Sequence, residues 1–138
     1  MRIILDTNVL VAALMAPGGP PHQLFEAFLA DRFTLVTSNM QIEELSRVTR
    51  YPAIRGRILP VQAGAKVNVI RSLATVLDRL PAADVSRDPG DDYLFAMPQA
   101  SEADYLVTGD KADVLRHRKH GKTRIVTALR MVGILKLK

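Results

Sequence analysis

Short runs of consecutive apolar residues alternate along this chain with longer segments in which apolar residues recur at helical spacing. The runs Ile3-Ile4-Leu5 and Tyr105-Leu106-Val107 are typical of buried parallel strands. Leu24, Phe25 and Phe28 instead have the spacing of one helix face. The pattern predicts strands at 2–5, 33–36, 105–107 and 124–126, and helices at 7–16, 22–31, 38–51, 60–77, 88–102, 111–115 and 127–135.

This alternation of strands and helices is typical of an α/β domain with a mainly parallel sheet, here of about five strands. The chain has 138 residues, of which 48% are hydrophobic. That length and composition suit one compact domain with a substantial core. The sequence therefore predicts a single domain over residues 1–138.

Two of the predicted helices carry local signals at their starts. Ser38 and Gln41 have capping-box spacing, in which the hydroxyl accepts from a free backbone N–H and the amide side chain reaches back. Asp88 precedes Pro89, which suits an N-cap followed by a first helical residue. The segment 17–21, rich in proline and glycine, is predicted to be a loop.

Composition narrows the class of protein. The chain has no cysteine, which excludes a disulfide framework and a zinc–thiolate site. It has no apolar stretch of the length of a signal peptide or a membrane helix, which predicts a soluble, cytoplasmic protein without a membrane partner. The net charge of +5 and the pI of about 9.9 favour a polyanionic partner, and nucleic acid is the common one.

Acidic residues follow two of the predicted strands. Asp6 comes directly after the first strand, and Asp110 comes shortly after the strand at 105–107. The carboxyl ends of strands are where open α/β sheets bind ligands. Two carboxylates that converge there repel each other unless a cation or proton lies between them. Carboxylates without cysteine suit Mg²⁺ or Mn²⁺, so the sequence predicts a site for one of these ions.

Two predicted helices offer further acids for this site. Glu44 borders the apolar face of the helix at 38–51, whereas Glu43 points to solvent, although both glutamates could be surface residues. Asp92 lies nearer than Asp91 to the apolar edge of the helix predicted at 88–102. Asp113 lies either at the rim of the site or at the start of a helix as its cap.

Polar and basic neighbours complete the prediction. Asn8 and Thr108 offer short polar groups that can hold Asp6 and Asp110 in place, although ordinary turn chemistry also explains them. Basic residues are expected to bind a phosphate backbone, although any one of them could equally be part of a solvated face. The candidates for this role are Arg47, Arg50, Arg116, Arg118 and Lys119.

The motifs resemble those of a known family across nearly the whole chain. The opening segment Asp6-Thr7-Asn8-Val9-Leu10 is similar to the first motif of PIN-domain ribonucleases, and the segment ending in Glu44-Leu45 is similar to their second. The segments 88–92 and 103–110 resemble their third and fourth motifs. The branch that the chain most resembles is that of the small VapC-like toxins of toxin–antitoxin pairs. Met97-Pro98 departs from the small or apolar helix formers usual in that family.

This resemblance implies a Rossmann-like three-layer fold and a specific site. The implied acidic quartet is Asp6, Glu44, Asp92 and Asp110, in which Asp6, Asp110 and Asp92 bind Mg²⁺ or Mn²⁺. Asn8 and Thr108 match supporting positions. The implied activity is cleavage of single-stranded RNA to leave a 5′-phosphate and a 3′-hydroxyl. The implied partners are a small protein antitoxin and a second copy of the chain in a homodimer.

Three other functions are compatible with parts of the pattern. A phosphatase with an aspartyl nucleophile also begins with an acid behind the first strand, but it typically has a second aspartate where this chain has Asn8. A receiver-type signalling domain would need a phospho-acceptor after a central strand, and none is present there. A PIN-like RNA- or protein-binding adaptor with weak or absent catalysis is the main alternative, although all four acids are retained.

Overall fold

A six-stranded sheet lies at the centre of the fold, which a computed structural model describes for residues 1–77, 97, 101–109, 119–120 and 122–137. The strands are β1 (Arg2–Leu5), β2 (Thr34–Ser38), β3 (Thr75–Leu77), β4 (Tyr105–Thr108), β5 (Lys119–His120) and β6 (Thr123–Thr127). The described helices are α1 (Thr7–Met15), α2 (Pro20–Leu29), α3 (Asn39–Val48), α4 (Pro52–Arg55), α5 (Pro60–Leu73) and α6 (Ala128–Ile134).

The order of the strands places a switch point at the centre of the sheet. The order is β3-β2-β1-β4-β6-β5, and every neighbouring pair is parallel except β5 with β6. From β1 the chain builds outward through β2 to β3, and it then continues with β4 on the other side of β1. The carboxyl ends of β1 and β4 therefore border the crevice in which open α/β sheets bind ligands.

Successive residues of a strand point to opposite faces of the sheet. Since the central strands contain consecutive apolar residues, both faces of the sheet are buried. Ile3, Leu5 and Val107 pack in one hydrophobic core with residues from α1, α2, α3, α5 and α6. Ile4 and Leu106, which alternate with them, are also fully buried, so the second face is covered as well. The predicted α/β class with a mainly parallel sheet and three layers is confirmed.

Most of the predicted elements in the described residues are present. The four predicted strands exist with bounds shifted by at most two residues, and Ser38 caps α3 by accepting a hydrogen bond from the Gln41 backbone N–H at 3.1 Å. The predicted loop at 17–21 is shorter than expected, because Pro20 and Pro21 occupy the first positions of α2, where proline is tolerated. No described helix combines the length and apolarity that a membrane crossing needs.

The prediction of one helix over 60–77 was wrong at its end. Helix α5 stops at Leu73, Ala74 is extended, and Thr75–Leu77 forms β3 beside β2. Leu73, the last residue of α5, is 61% exposed. A short apolar run with β-branched residues does not distinguish strand from helix by periodicity, and here its pairing with β2 decides. The helix predicted at 38–51 also ends early, at Val48, and a separate short α4 follows.

Most of the helix predicted at 88–102, and all of that at 111–115, lie outside the described residues. Met97 is helical and fully buried, and the Ser101 hydroxyl donates to its carbonyl oxygen at 2.8 Å. Glu102 has a positive φ of 52°, which ends the helix where the sequence predicts. The short antiparallel β5 was not predicted.

Candidate active site

Asp6 lies where β1 becomes α1, and it is only 1% exposed. It is the N-cap of α1, and its Oδ1 accepts a hydrogen bond from the Asn8 backbone N–H at 3.0 Å. Its Oδ2 accepts a hydrogen bond from the Thr108 hydroxyl at 2.7 Å. Each carboxylate oxygen is thus held by one partner, and the two partners come from different parts of the chain.

Pairing of the central strands brings these groups together. Leu5 is in register with Val107, and the Asp6 backbone N–H donates to the Val107 carbonyl oxygen at 2.8 Å. Asp6 and Thr108 therefore meet at the carboxyl ends of β1 and β4, at the switch point of the sheet. Asp110 follows Thr108 by two residues and lies outside the described residues.

The contacts that Asp6 makes with other described residues account for only part of its charge. An ionised carboxylate has about four lone-pair sites, and burying it costs several kcal/mol unless it is paired. The N-terminus of α1 offers partial positive charge. Within the described part of the chain, however, no Lys, Arg or His forms an ion pair with Asp6. A buried, oriented carboxylate with remaining acceptor capacity is suited to bind a hard cation.

A small cleft opens beside these residues. Its volume is about 190 Å³, which is enough for about six water molecules. Strand ends supply Thr108, Gly109 and Thr127 to its lining, and Asn8 supplies a polar group from α1. The remaining lining is Val9, Ala12, Pro21 and Ala128. The cleft thus lies against the direct neighbours of Asp6 and is accessible to a small hydrated group.

Asn8 supports Asp6 differently from what its residue type suggests. Its backbone N–H, rather than its side chain, holds the carboxylate, and the residue itself is exposed. Thr108 contacts Asp6 through its side chain, because its buried hydroxyl donates to the carboxylate.

Gln41 also supports the region around Asp6, although the capping-box spacing predicted a different partner for its side chain. Its side chain does not reach back to the cap. Instead, Nε2 donates to the Leu5 carbonyl oxygen at 2.6 Å, and Oε1 accepts from the Thr37 hydroxyl at 2.5 Å. Gln41 is only 1% exposed. It therefore attaches the first turn of α3 to the residue that precedes Asp6.

Glu44 lies one turn after Gln41 on the same helix. Residues three apart on a helix share a face, so Glu44 follows the face that Gln41 fixes against β1. Glu44 is half-buried and Glu43 is exposed, in line with the predicted difference between them. Arg47 and Arg50 are exposed further along, at and beyond the end of α3.

Several of the predicted site residues lie outside the described residues, and their positions remain predictions. They are Asp91, Asp92, Asp110, Asp113, Arg116 and Arg118; for Lys119 only the backbone, in β5, is described. Among the residues that are described, no three acidic or histidine side chains come close enough to bind a metal together. The structure thus brings Asp6 together with Asn8 and Thr108.

Comparisons with known proteins agree with this fold. The "Uncharacterized protein MJ1680" of Methanocaldococcus jannaschii is 23% identical over 128 residues, which cover 88% of this chain and 78% of that protein. The PIN domain of human SMG5 has a similar fold, with a TM-score of 0.52 and 15% identity over 97% of this chain and 98% of that one. The sequence pattern of the PIN domain matches residues 2–112. The chain belongs to the PIN domain family.

Proposed function

We propose that this chain is a divalent-metal-dependent endoribonuclease that cleaves single-stranded RNA. PIN domains are generally nucleases that bind RNA. The observation that carries the proposal is the buried carboxylate of Asp6, which is held by Asn8 and Thr108 at the switch point of the sheet. Such a fixed carboxylate is more than helix capping requires, because one oxygen is enough for a cap.

The chemistry of the donors fits Mg²⁺ or Mn²⁺, which PIN nucleases usually use. Hard oxygen ligands suit these ions, and Asp6 supplies one in a buried setting. Asp110 and Asp92 would bind the ion with Asp6, and Glu44 would complete the acidic set. When bound, the ion supplies Lewis acidity toward the scissile phosphate and acidifies a water.

Other residues of the chain would orient the acidic side chains and bind the RNA. Thr108 and the Asn8 backbone hold the Asp6 carboxylate, and Gln41 holds α3, which carries Glu44. Asp91 and Asp113 would lie at the rim. Basic side chains would hold the phosphate backbone of RNA by electrostatic attraction that weakens with salt. In this proposal they are Arg47, Arg50, Arg116, Arg118 and Lys119.

Cleavage of end-labelled single-stranded RNA by the purified chain tests this function. With Mg²⁺ or Mn²⁺ we expect cleavage that leaves 5′-phosphate ends, and with EDTA we expect none. A shift in thermal unfolding on adding Mn²⁺ reports binding separately, because a ligand that binds only the folded state raises its stability. Absence of both cleavage and Mn²⁺ binding would instead favour an RNA- or protein-binding adaptor.

Thr108→Val tests the support of Asp6. Valine keeps the shape of threonine but cannot donate to Asp6 Oδ2. We expect the free energy of unfolding to fall by about 2 kcal/mol, because a hydrogen bond to a charged group is lost. We also expect Mn²⁺ affinity to fall by about 10–100-fold, as is typical when a partner of a metal ligand is removed.

Thr108→Ser is the matched control, because it retains the hydroxyl. It should keep Mn²⁺ affinity close to that of the wild type while losing the packing of one methyl group. Equal Mn²⁺ affinity in Thr108→Val and the wild type would show that this hydroxyl does not support a metal ligand.

The biological setting belongs to the same proposal. A cytoplasmic ribonuclease of this kind would act as the toxin of a toxin–antitoxin pair and be restrained by a small protein antitoxin, and it would form a homodimer. An adjacent gene for a short DNA-binding protein that relieves growth arrest on co-expression supports the toxin role. Light scattering of the purified chain decides between monomer and dimer.

A further inference from the structure

A second cavity, larger than the cleft beside Asp6, lies between α3 and α5. Its volume is about 500 Å³, which falls within the range of about 300–1,000 Å³ typical of small-molecule sites. One wall comes from the end of α3 and the residues after it, and the other comes from α5. The lining residues are Ser46, Thr49, Arg50, Ala63, Gly64, Val67, Asn68 and Arg71. We call this cavity the α3–α5 groove.

Among the described residues, the charged lining of the groove is basic. Arg50 and Arg71 contribute two guanidinium groups, and no described acidic residue lines the groove. Within the described part of the chain, neither arginine forms an ion pair with a carboxylate. Asn68 Oδ1 accepts from Arg71 Nη1 at 3.3 Å, which directs that side chain along α5. Two guanidinium groups that have no carboxylate partner among the described residues and border one cavity favour a phosphate, which arginine binds with its fork of N–H donors.

Helix-end electrostatics explain these arginines only in part. A basic residue in the last turn complements the partial negative charge at a helix C-terminus, and Arg71 occupies that position in α5. In α3 the same position is held by Arg47, so Arg50, beyond the end of the helix, is not needed for it. The effect also does not explain why Arg50 and Arg71 border one open space.

Gly64 leaves open space at the floor of the groove. Apart from its chain neighbours and the backbone of its own helix, a Cβ added at Gly64 would have no atom within 4 Å, and the neighbouring Ala63 is small and buried. The hydroxyl of Ser46 and the amide of Asn68 add polar groups at the sides. This combination of a basic edge, a small-residue floor and polar walls matches one nucleotide, with its phosphate at the arginines and its ribose or base over Gly64.

We infer that the α3–α5 groove binds one nucleotide of the RNA at a subsite separate from the cleavage centre; this rests on the proposed ribonuclease function. Gln41 attaches α3 beside Asp6, and Arg50 lies nine residues further along. From Gln41 to Val48, the last residue of α3, seven residues at about 1.5 Å each span about 10 Å, and Arg50 follows two residues later. One RNA strand can span both places, so the groove adds affinity and sequence preference to long substrates and leaves short ones unaffected.

Binding of a labelled single-stranded RNA oligonucleotide, measured in an Asp6→Asn background to prevent cleavage, tests the subsite. The double change Arg50→Gln with Arg71→Gln should weaken binding about tenfold, which is about 1.4 kcal/mol for two exposed ion pairs. The slope of log affinity against log salt should decrease by about 0.7 for each lost phosphate contact. Arg130→Gln with Lys136→Gln is the matched control, because it removes the same charge from two exposed residues outside the groove.

Gly64→Met provides a second variant that leaves the charge unchanged. It fills the floor of the groove, and it should not harm the helix, since glycine is the poorer helix former. We expect weaker RNA binding with equal or higher thermal stability. Unchanged RNA affinity in Gly64→Met, or equal losses in the two double variants, would overturn the subsite. Adenosine monophosphate and inorganic phosphate serve as competitors. Displacement of RNA by a low concentration of either competitor would assign the groove to a free anion and overturn the RNA subsite.

Measurements of RNA cleavage distinguish failure of the nucleotide subsite from failure of the proposed ribonuclease function. If the wild type cleaves RNA, the groove variants should slow cleavage of long oligonucleotides, and Gly64→Met should leave cleavage of a dinucleotide unchanged. If the wild type cleaves no RNA but loses RNA binding in the groove variants, the subsite is supported and the ribonuclease function fails. Cleavage of long RNA that is unaffected by all groove variants supports the function and overturns the subsite.

Discussion

Asp6→Asn is expected to reduce divalent-dependent RNA cleavage by at least about 100-fold, since even the partners of metal ligands contribute 10–100-fold. The change removes the negative charge and replaces one of two fixed oxygens by an amide nitrogen. The remaining oxygen can still accept from the Asn8 backbone N–H, since asparagine is as good an N-cap as aspartate. The Thr108 hydroxyl can reverse and accept from the new amide, because a hydroxyl is both donor and acceptor. The fold should therefore persist while the metal site is lost.

Thermal unfolding with and without Mn²⁺ distinguishes these two effects. We expect the stabilisation by Mn²⁺ to disappear in Asp6→Asn, and the unfolding temperature without metal to stay equal or to rise, because a buried charge has been removed. Asp31→Asn is the matched control. It makes the same chemical change at an exposed residue with a φ of 61°, a conformation that asparagine adopts readily. Full cleavage activity in Asp6→Asn would exclude Asp6 as a metal ligand.

The convergence of Asp6 and Thr108 could be predicted because it follows from strand ends alone. The apolar runs at 3–5 and 105–107 identify two buried strands, and parallel strands bring their carboxyl ends to one edge of the sheet. The pairing of Leu5 with Val107 also depends on the register of the two strands, which the structure shows and adjacency alone does not fix. Local patterns thus account for the contact between Asp6 and Thr108, and the role of these residues in a metal site stays a prediction.

The role of Gln41 could not be predicted in this way. Its amide binds the carbonyl oxygen of Leu5, which lies 36 residues earlier in the chain, and no local spacing encodes that contact. The capping-box pattern offered a local partner instead, and half of it is correct, since Ser38 does cap α3. A buried glutamine satisfies its polar groups wherever the tertiary structure provides them.

The α3–α5 groove could not be predicted from the sequence for a similar reason. Arg50 was predicted to bind a phosphate backbone, but Arg71 lies on a different helix, and only the packing of α5 on α3 brings the two to one cavity. The misassigned end of α5 belongs to the same class of error. Thr75–Leu77 is a strand because β2 is beside it, and its own three residues carry too little periodicity to decide.

Gln41→Met is expected to lower the free energy of unfolding by about 3 kcal/mol. Methionine has a similar length and fills the same space, but it cannot donate to the Leu5 carbonyl oxygen or accept from the Thr37 hydroxyl. Leaving a buried polar group without its partner costs about 1–3 kcal/mol. For a chain of this size the unfolding temperature should fall by about 10 °C. Gln62→Met, the same change at an exposed residue of α5, should have little effect.

A double-mutant cycle with Thr37→Val shows whether Gln41 acts through this network. Because both residues belong to one buried chain of hydrogen bonds that ends at Leu5, their effects should be non-additive by about 0.5–3 kcal/mol. Mn²⁺ affinity should also fall in Gln41→Met, since α3, which carries Glu44, then loses its attachment beside Asp6. Strictly additive losses of stability, or Mn²⁺ affinity equal to that of Gln62→Met, would mean that Gln41 merely fills the core. Non-additive losses of stability together with weakened Mn²⁺ binding would mean that the buried amide of Gln41 positions Glu44 relative to Asp6.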